Sequence, residues 1–186
     1  MDKPLYFYHI VNKDVDMSKG LLSLKYMYDN KMYDLFDKYV DKYKERIVNY
    51  WNIDKYKNKN TLTREEYLDG LKCYRGDNGD RYIYFFRYQP LDNLGSNMSN
   101  ILKYKDIYRI NINDPKVKES IEEIFYGYDM SNSDNNKLDR EYYEKISEEE
   151  YFSKYDDSNK MLFSTLNHIG IVFKDDYCKI DLLEKM

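Results

Sequence analysis

Alanine is missing from this chain of 186 residues altogether, and the sequence holds only 2 Cys, 2 His, 7 Gly and 1 Trp. Each scarcity closes off a class of function. Cys73 and Cys178 stand far apart, with no companion Cys or His at metal-ligand spacing, so neither a disulfide framework nor a zinc site is indicated and reduced thiols are expected. None of the glycines falls in a loop pattern that aims backbone N–H groups at phosphates, which disfavours the common ATP-dependent chemistries. There is no serine flanked by glycines at nucleophile spacing and no histidine pair of a metalloprotease helix, so His9 and His168 are all the imidazole chemistry available. No run approaches the roughly 18 apolar residues of a membrane-spanning helix. Met1-Asp2-Lys3-Pro4 leads straight into a strand-like segment, not into a basic region followed by an apolar run. A cytoplasmic protein is expected, in the host cytoplasm if the source is viral.

What abounds instead is Lys, Asn, Asp, Tyr and Ile, with Lys far ahead of Arg, the residue usage of an AT-rich genome such as that of a virus, a phage or a low-GC bacterium. Because that bias acts on every position, the 23 Tyr are no argument for a base-stacking surface. They do imply a core with a large aromatic share. A net charge of −4 and a pI near 5.4 disfavour bulk binding of nucleic acid, whose partners are usually basic. Interleaved charges, as in Asp41-Lys42-Tyr43-Lys44-Glu45-Arg46, read as a solvated helix face. The length fits a single domain spanning residues 1–186.

Residues 5–11 are aromatic and β-branched, a first strand, and a polar loop follows up to Gly20-Leu21-Leu22-Ser23. Over 31–51 apolar residues recur every three or four positions, predicting a long amphipathic helix with Tyr39, Tyr43, Ile47 and Trp51 toward the core. Thr63-Arg64-Glu65-Glu66 has the capping-box pattern and starts a second helix carrying Tyr67, Leu68 and Leu71, which ends near Gly76. Asp77-Asn78-Gly79-Asp80 is a turn cluster, and 81–88 and 106–112 read as strands with a loop or short helix between them. Asp114-Pro115 predicts a helix start, with Val117, Ile121, Ile124 and Phe125 facing inward. Residues 129–155 read as an exposed polar insertion, and 168–180 as a terminal hairpin. The predicted class is α+β, a small mixed or antiparallel sheet flanked by helices.

Calcium binding by the Asp-rich and Asn-rich stretch from Asp129 fails on register: Asp134 sits where the turn needs glycine, and Arg140 where a bidentate Glu is needed. No metal site is expected. His9, inside the first strand, can bond a ligand hydroxyl or simply a neighbouring backbone carbonyl.

Three segments carry a resemblance. Tyr8-His9-Ile10-Val11 followed by a short polar loop and Gly20-Leu21-Leu22-Ser23, then Ile83-Tyr84-Phe85-Phe86, then Ile107-Tyr108-Arg109-Ile110-Asn111-Ile112, together resemble the core of the ADP-ribosyltransferase-like fold, including its phage and bacterial members and the RNA 2′-phosphotransferase relatives. The resemblance implies NAD as cofactor, with His9 on its ribose, Tyr84 over the nicotinamide and Gly20 in the cofactor loop. It also implies a protein target for transfer. The family's catalytic Glu usually opens a late strand, and here that place reads Leu166-Asn167-His168. The resemblance therefore leaves two readings: Glu148, Glu149 or Glu150 reaches the site from the insertion, with Glu149 the candidate, or the chain binds its nucleotide without turnover. A second function class stands beside it, a non-catalytic interaction protein, for example a viral host-interaction or anti-defence protein, whose tyrosines contact a partner.

Overall fold

The computed structural model describes residues 3–40, 56, 59, 61–87, 103–129, 144–154 and 168–186. Its centre is a six-stranded sheet built from β1 (Tyr6–Asn12), β3 (Ile83–Phe86), β4 (Lys105–Asn111), β5 (Ile121–Phe125), β8 (His168–Phe173) and β10 (Glu184–Lys185). The order is β10-β4-β1-β3-β8-β5, and every adjacent pair runs antiparallel. The α+β class expected from the sequence is the class observed.

Side chains alternate faces along a strand, so the registers decide what meets what. Phe7 lies opposite Ile110, and Phe85 opposite Ile169. These four, with Ile171 and Phe173, are essentially inaccessible and form the main core on one face of the sheet. That core is completed by Leu21 of β2 (Leu21–Leu22), by Cys178 of β9 (Tyr177–Cys178), by Val117 and by Tyr151.

A second core belongs to three helices: α1 (Leu24–Asp29), α2 (Tyr33–Val40) and α3 (Arg64–Arg75). Met27, Phe36, Val40, Tyr67, Leu68 and Leu71 fill it. Ser23 caps α1 by accepting from the Tyr26 N–H, and Thr63 caps α3 in a full capping box with Glu66. Arg64 of α3 grips Asp37 of α2 through two parallel N–H bonds of 2.9 and 2.6 Å.

Three sequence expectations change on contact with the structure. The described part of the 31–51 helix begins at Tyr33, and its inward stripe is Phe36 and Val40, while Tyr39 is 43% exposed. One step round the helix from Val40, the phenol sits at the rim, where an amphipathic ring is at home. Tyr43, Ile47 and Trp51 lie outside the described residues. After the Asp114 cap, α4 (Pro115–Ser120) stops early and Ile121–Phe125 is a strand. A bulge between Ile121 and Glu123 explains the misleading spacing: it brings Ile121 and Ile124 onto Phe173 and Ile171, so a three-residue interval still serves one face. The terminal hairpin does not form, because Tyr177–Cys178 pairs with Leu21–Leu22 and not with the strand before it.

Much of the polar insertion lies outside the described residues. Its described part, β6 (Tyr128–Asp129), β7 (Glu144–Lys145) and α5 (Glu148–Lys154), is fastened inward by Ile146 and by Tyr151, which is fully buried. Among the described residues no helix is long and apolar enough to cross a membrane.

Candidate functional site

The two cores meet along a seam, and a cleft of about 570 Å³ opens there. Its floor comes from the sheet and the strand-like loop, through His9, Gly20, Leu21 and Ile83, and its roof from the helices, through Met27, Leu35, Tyr39 and Tyr67. The location follows from strand geometry. Among the described residues Tyr8 with Phe86, the last residue of β3, is the register pair joining β1 to β3, and His9 is the next residue along β1.

That register separates two residues the sequence places together. Tyr8 opposes Phe86, so Tyr84 shares the face of Tyr8, and His9 shares the face of Phe7 and Phe85. The imidazole packs edge-on against Phe85 at 5.5 Å between centroids. The pairing of imidazole with phenol expected over one ligand is therefore replaced by a bond to the main chain: His9 Nδ1 lies 2.6 Å from the Tyr84 carbonyl oxygen. Tyr82, Ile83 and Tyr84 nevertheless all line the cleft, so His9, Gly20 and Tyr84 share one cavity.

A carbonyl has no proton to give, so Nδ1–H of His9 is the donor in this bond. Burial holds the imidazole below its ordinary pKa, an effect the Tyr84 bond partly opposes. At neutral pH the ring is thus uncharged with its proton on Nδ1, and Nε2 carries a lone pair suited to a hydroxyl or amide donor.

Gly20 is positioned by necessity. Its φ is +91°, and a Cβ there would lie 2.0 Å from the Cys178 carbonyl oxygen, so only glycine lets the loop pass against β9.

The charged residues of the cleft are of two kinds. Asp16 accepts from the Ser18 N–H at 2.9 Å, which holds its carboxyl below the usual range. Asp80 is almost wholly buried, with Oδ2 at 3.2 Å from Lys72 Nζ and Oδ1 without a hydrogen-bond partner among the described residues. Burial raises its pKa and Lys72 opposes the rise. Its main-chain oxygen accepts from the Lys25 N–H at 3.0 Å, tying α1 to the turn before β3. Arg75, in the last turn of α3, is the cation among the described lining residues, and its guanidinium carbon stands 4.6 Å from the centroid of the Tyr84 ring. Sequence reasoning noted Asp80 only as a turn residue and passed over Arg75. The signals available were the exposed-looking acid directly before a strand and the basic residue closing a capped helix, both of which have commoner structural uses.

Glu149 is not brought to this cleft. It is exposed on the first turn of α5. That helix is held elsewhere, by Tyr151 stacked on Tyr126 at 5.0 Å and by Arg87 lying 5.1 and 5.0 Å from the rings of Tyr151 and Phe152. Among the described residues no cluster of three or more His, Cys, Asp or Glu is disposed to hold a metal. No protein family, no curated protein and no solved structure matches the chain.

Proposed function

We propose that this chain is a nucleotide-binding protein of the ADP-ribosyltransferase-like kind, which takes NAD or a related nucleotide into the cleft between its two cores. One observation carries the reading: His9, Gly20 and Tyr84, singled out from three separate stretches of sequence, line a single cavity. The neutral imidazole, with Nε2 as acceptor, suits a sugar hydroxyl, and the aromatic and aliphatic lining suits a planar ring. Transfer chemistry asks in addition for a carboxylate beside the sugar, to stabilise the positive charge that develops there. Glu149 does not line the cleft, and Asp16 and Asp80 are held by protein partners, so the reading is one of binding.

A melting scan with and without NAD tests it. A ligand that binds only the folded chain, at a hundred times its dissociation constant, stabilises by about 2.7 kcal/mol. The expected result is a rise in melting temperature for the wild type that His9→Ala abolishes. No rise with NAD up to millimolar concentration, or an equal rise in His9→Ala, overturns the proposal.

A further inference from the structure

We propose that the loop of residues 13–19 is a lid on the cleft, and that the ion pair between Asp14 and Lys38 is the latch that holds it against α2. The inference concerns access to the cleft and does not depend on which ligand enters.

The loop has the two faces a lid needs. It joins β1 to β2, and its side chains alternate: Val15 and Met17 line the cleft and pack against the main core, while Asp14, Asp16 and Ser18 are exposed. Opposite it, α2 lines the cleft with Leu35 and Tyr39 and carries Lys38 outward. Asp14 directly precedes the lining residues of the loop, and Lys38 directly precedes Tyr39. Their contact, Nζ to Oδ2 at 3.4 Å, therefore spans the mouth between the two walls. The Asp14 charge is also felt at the Tyr39 phenol, whose pKa is raised first by burial and then by this carboxylate.

The hydrogen bonds of the loop show how it is hung. Lys13 N–H donates to the Tyr104 carbonyl at 3.0 Å, which fixes one end to β4, and Gly20 lies wedged against the main chain of Cys178, which fixes the other. Between these anchors the bonds are local: Val15 N–H to the Asn12 carbonyl at 3.0 Å, Ser18 N–H to Asp16 Oδ1 at 2.9 Å, and Gly20 N–H to the Met17 carbonyl at 2.8 Å. A segment that carries its own bonds in this way can swing as a unit without stranding main-chain groups. Among the described residues the polar tie from the loop to α2 is the Asp14–Lys38 pair. Lys38 and Asp14 are 62% and 68% exposed, so the tie is weak, and such a pair tips an equilibrium by about fivefold at most. Val15 and Met17 are only half-buried, so the hydrophobic hold on the lid is partial as well. Closed, the loop keeps water from whatever the cleft holds; open, it admits the ligand.

Relaxation of the methionine methyl signals by a neutral soluble nitroxide, in the full chain isotope-labelled at those methyl groups, tests this. Met17 and Met27 line the cleft, and Met32, half-buried outside it, is the reference. Asp14→Lys sets like charges across the mouth and is expected to raise the relaxation of Met17 and Met27 relative to Met32 by about twofold to fivefold, the range one exposed ion pair commands. Asp14→Lys/Lys38→Asp restores the pair with its polarity reversed and should return both signals to the wild-type level. In about 1 M salt, which screens the pair and the repulsion alike, wild type and Asp14→Lys should converge. Lys38→Asp makes the like-charge contact with the other sign and serves if Asp14→Lys does not fold. No rise at Met17 and Met27, a rise that Met32 shares, or a rise that the reversed pair does not undo overturns the proposal.

Discussion

The imidazole of His9 on β1 gives its Nδ1 proton to the backbone carbonyl of Tyr84 on β3, 2.6 Å away. One bond thereby ties β1 to β3, chooses the tautomer, and leaves His9 Nε2 as the acceptor nitrogen of a residue that lines the cleft. Replacing His9 by Ala therefore does more than empty a binding site. It leaves the Tyr84 carbonyl without its partner, an expected cost of about 1 to 2 kcal/mol.

The same bond makes a pH prediction. Burial lowers the pKa of His9 in the folded chain below its unfolded value, so between the two values the unfolded chain holds more protons. Stability from this residue is therefore complete above the unfolded pKa of about 6.5 and is lost as pH falls below it toward the folded value. Melting temperatures from pH 8 down to about pH 5 should fall more steeply for the wild type than for His9→Gln, which keeps an N–H for the carbonyl and has nothing to titrate in that range. Parallel profiles would mean that His9 does not titrate differently in the two states.

The α2 face gives a prediction that compares two neighbours. Phe36 is inaccessible and touches the rings of Tyr28 and Tyr67, whereas Tyr39 is 43% exposed at the cleft rim. Phe36→Ala should cost about 3 to 5 kcal/mol in chemical denaturation and Tyr39→Ala under about 1 kcal/mol. Similar costs at both positions would show that the stripe has been assigned to the wrong side of the helix.

Local signals were legible where local chemistry decides. The Thr63 and Asp114 caps and the strands around Phe7, Phe85 and Ile110 need only their own residues to be read, and all form. What could not be read is set by distant partners. Ile121 and Ile124 carry a helical interval, and only the edge of β8 and a bulge turn it into a strand. Tyr177–Cys178 follows a tight turn and still leaves β8 to pair with β2, a choice made by a segment more than 150 residues earlier in the chain. At the site, the composition made His9 conspicuous and the glycine made the loop conspicuous. The face on which Tyr84 lies depends on a single inter-strand register, which no pattern within either strand contains.

The two thiols should behave differently. Neither is in a disulfide: Cys73 is exposed on α3, and Cys178 is buried between β2 and the end of the chain, where burial pushes its thiol far above the ordinary range. Only a thiolate reacts readily, so without reductant one equivalent of a thiol reagent should be consumed quickly by the native protein and a second only on unfolding. Two rapid equivalents in the native state would contradict the burial of Cys178, and none after unfolding would reveal a disulfide.

Two glycines with positive φ separate backbone strain from steric conflict. At Gly20, with φ of +91°, an added Cβ meets the Cys178 carbonyl oxygen at 2.0 Å and the Ile180 nitrogen at 2.8 Å. Both are main-chain atoms of the segment that pairs with β2, so neither can swing aside. At Gly127, with φ of +123°, the nearest atom is a methyl carbon of Ile146 at 3.7 Å, which is ordinary contact. Gly127→Ala should therefore show the cost of an unfavourable φ alone, about 1 kcal/mol or somewhat more. Gly20→Ala should show that cost plus displacement of β9, adding about 1 to 3 kcal/mol as overpacking does. Denaturant midpoints of the two variants against wild type measure the difference directly. Because Gly20 also lines the cleft, a shift of the β2–β9 pair should weaken any ligand that binds there, in the fraction of Gly20→Ala that remains folded. Equal losses in the two variants would show that the loop can retreat from β9, and that Gly20 is required for its conformation and not for the closeness of its approach.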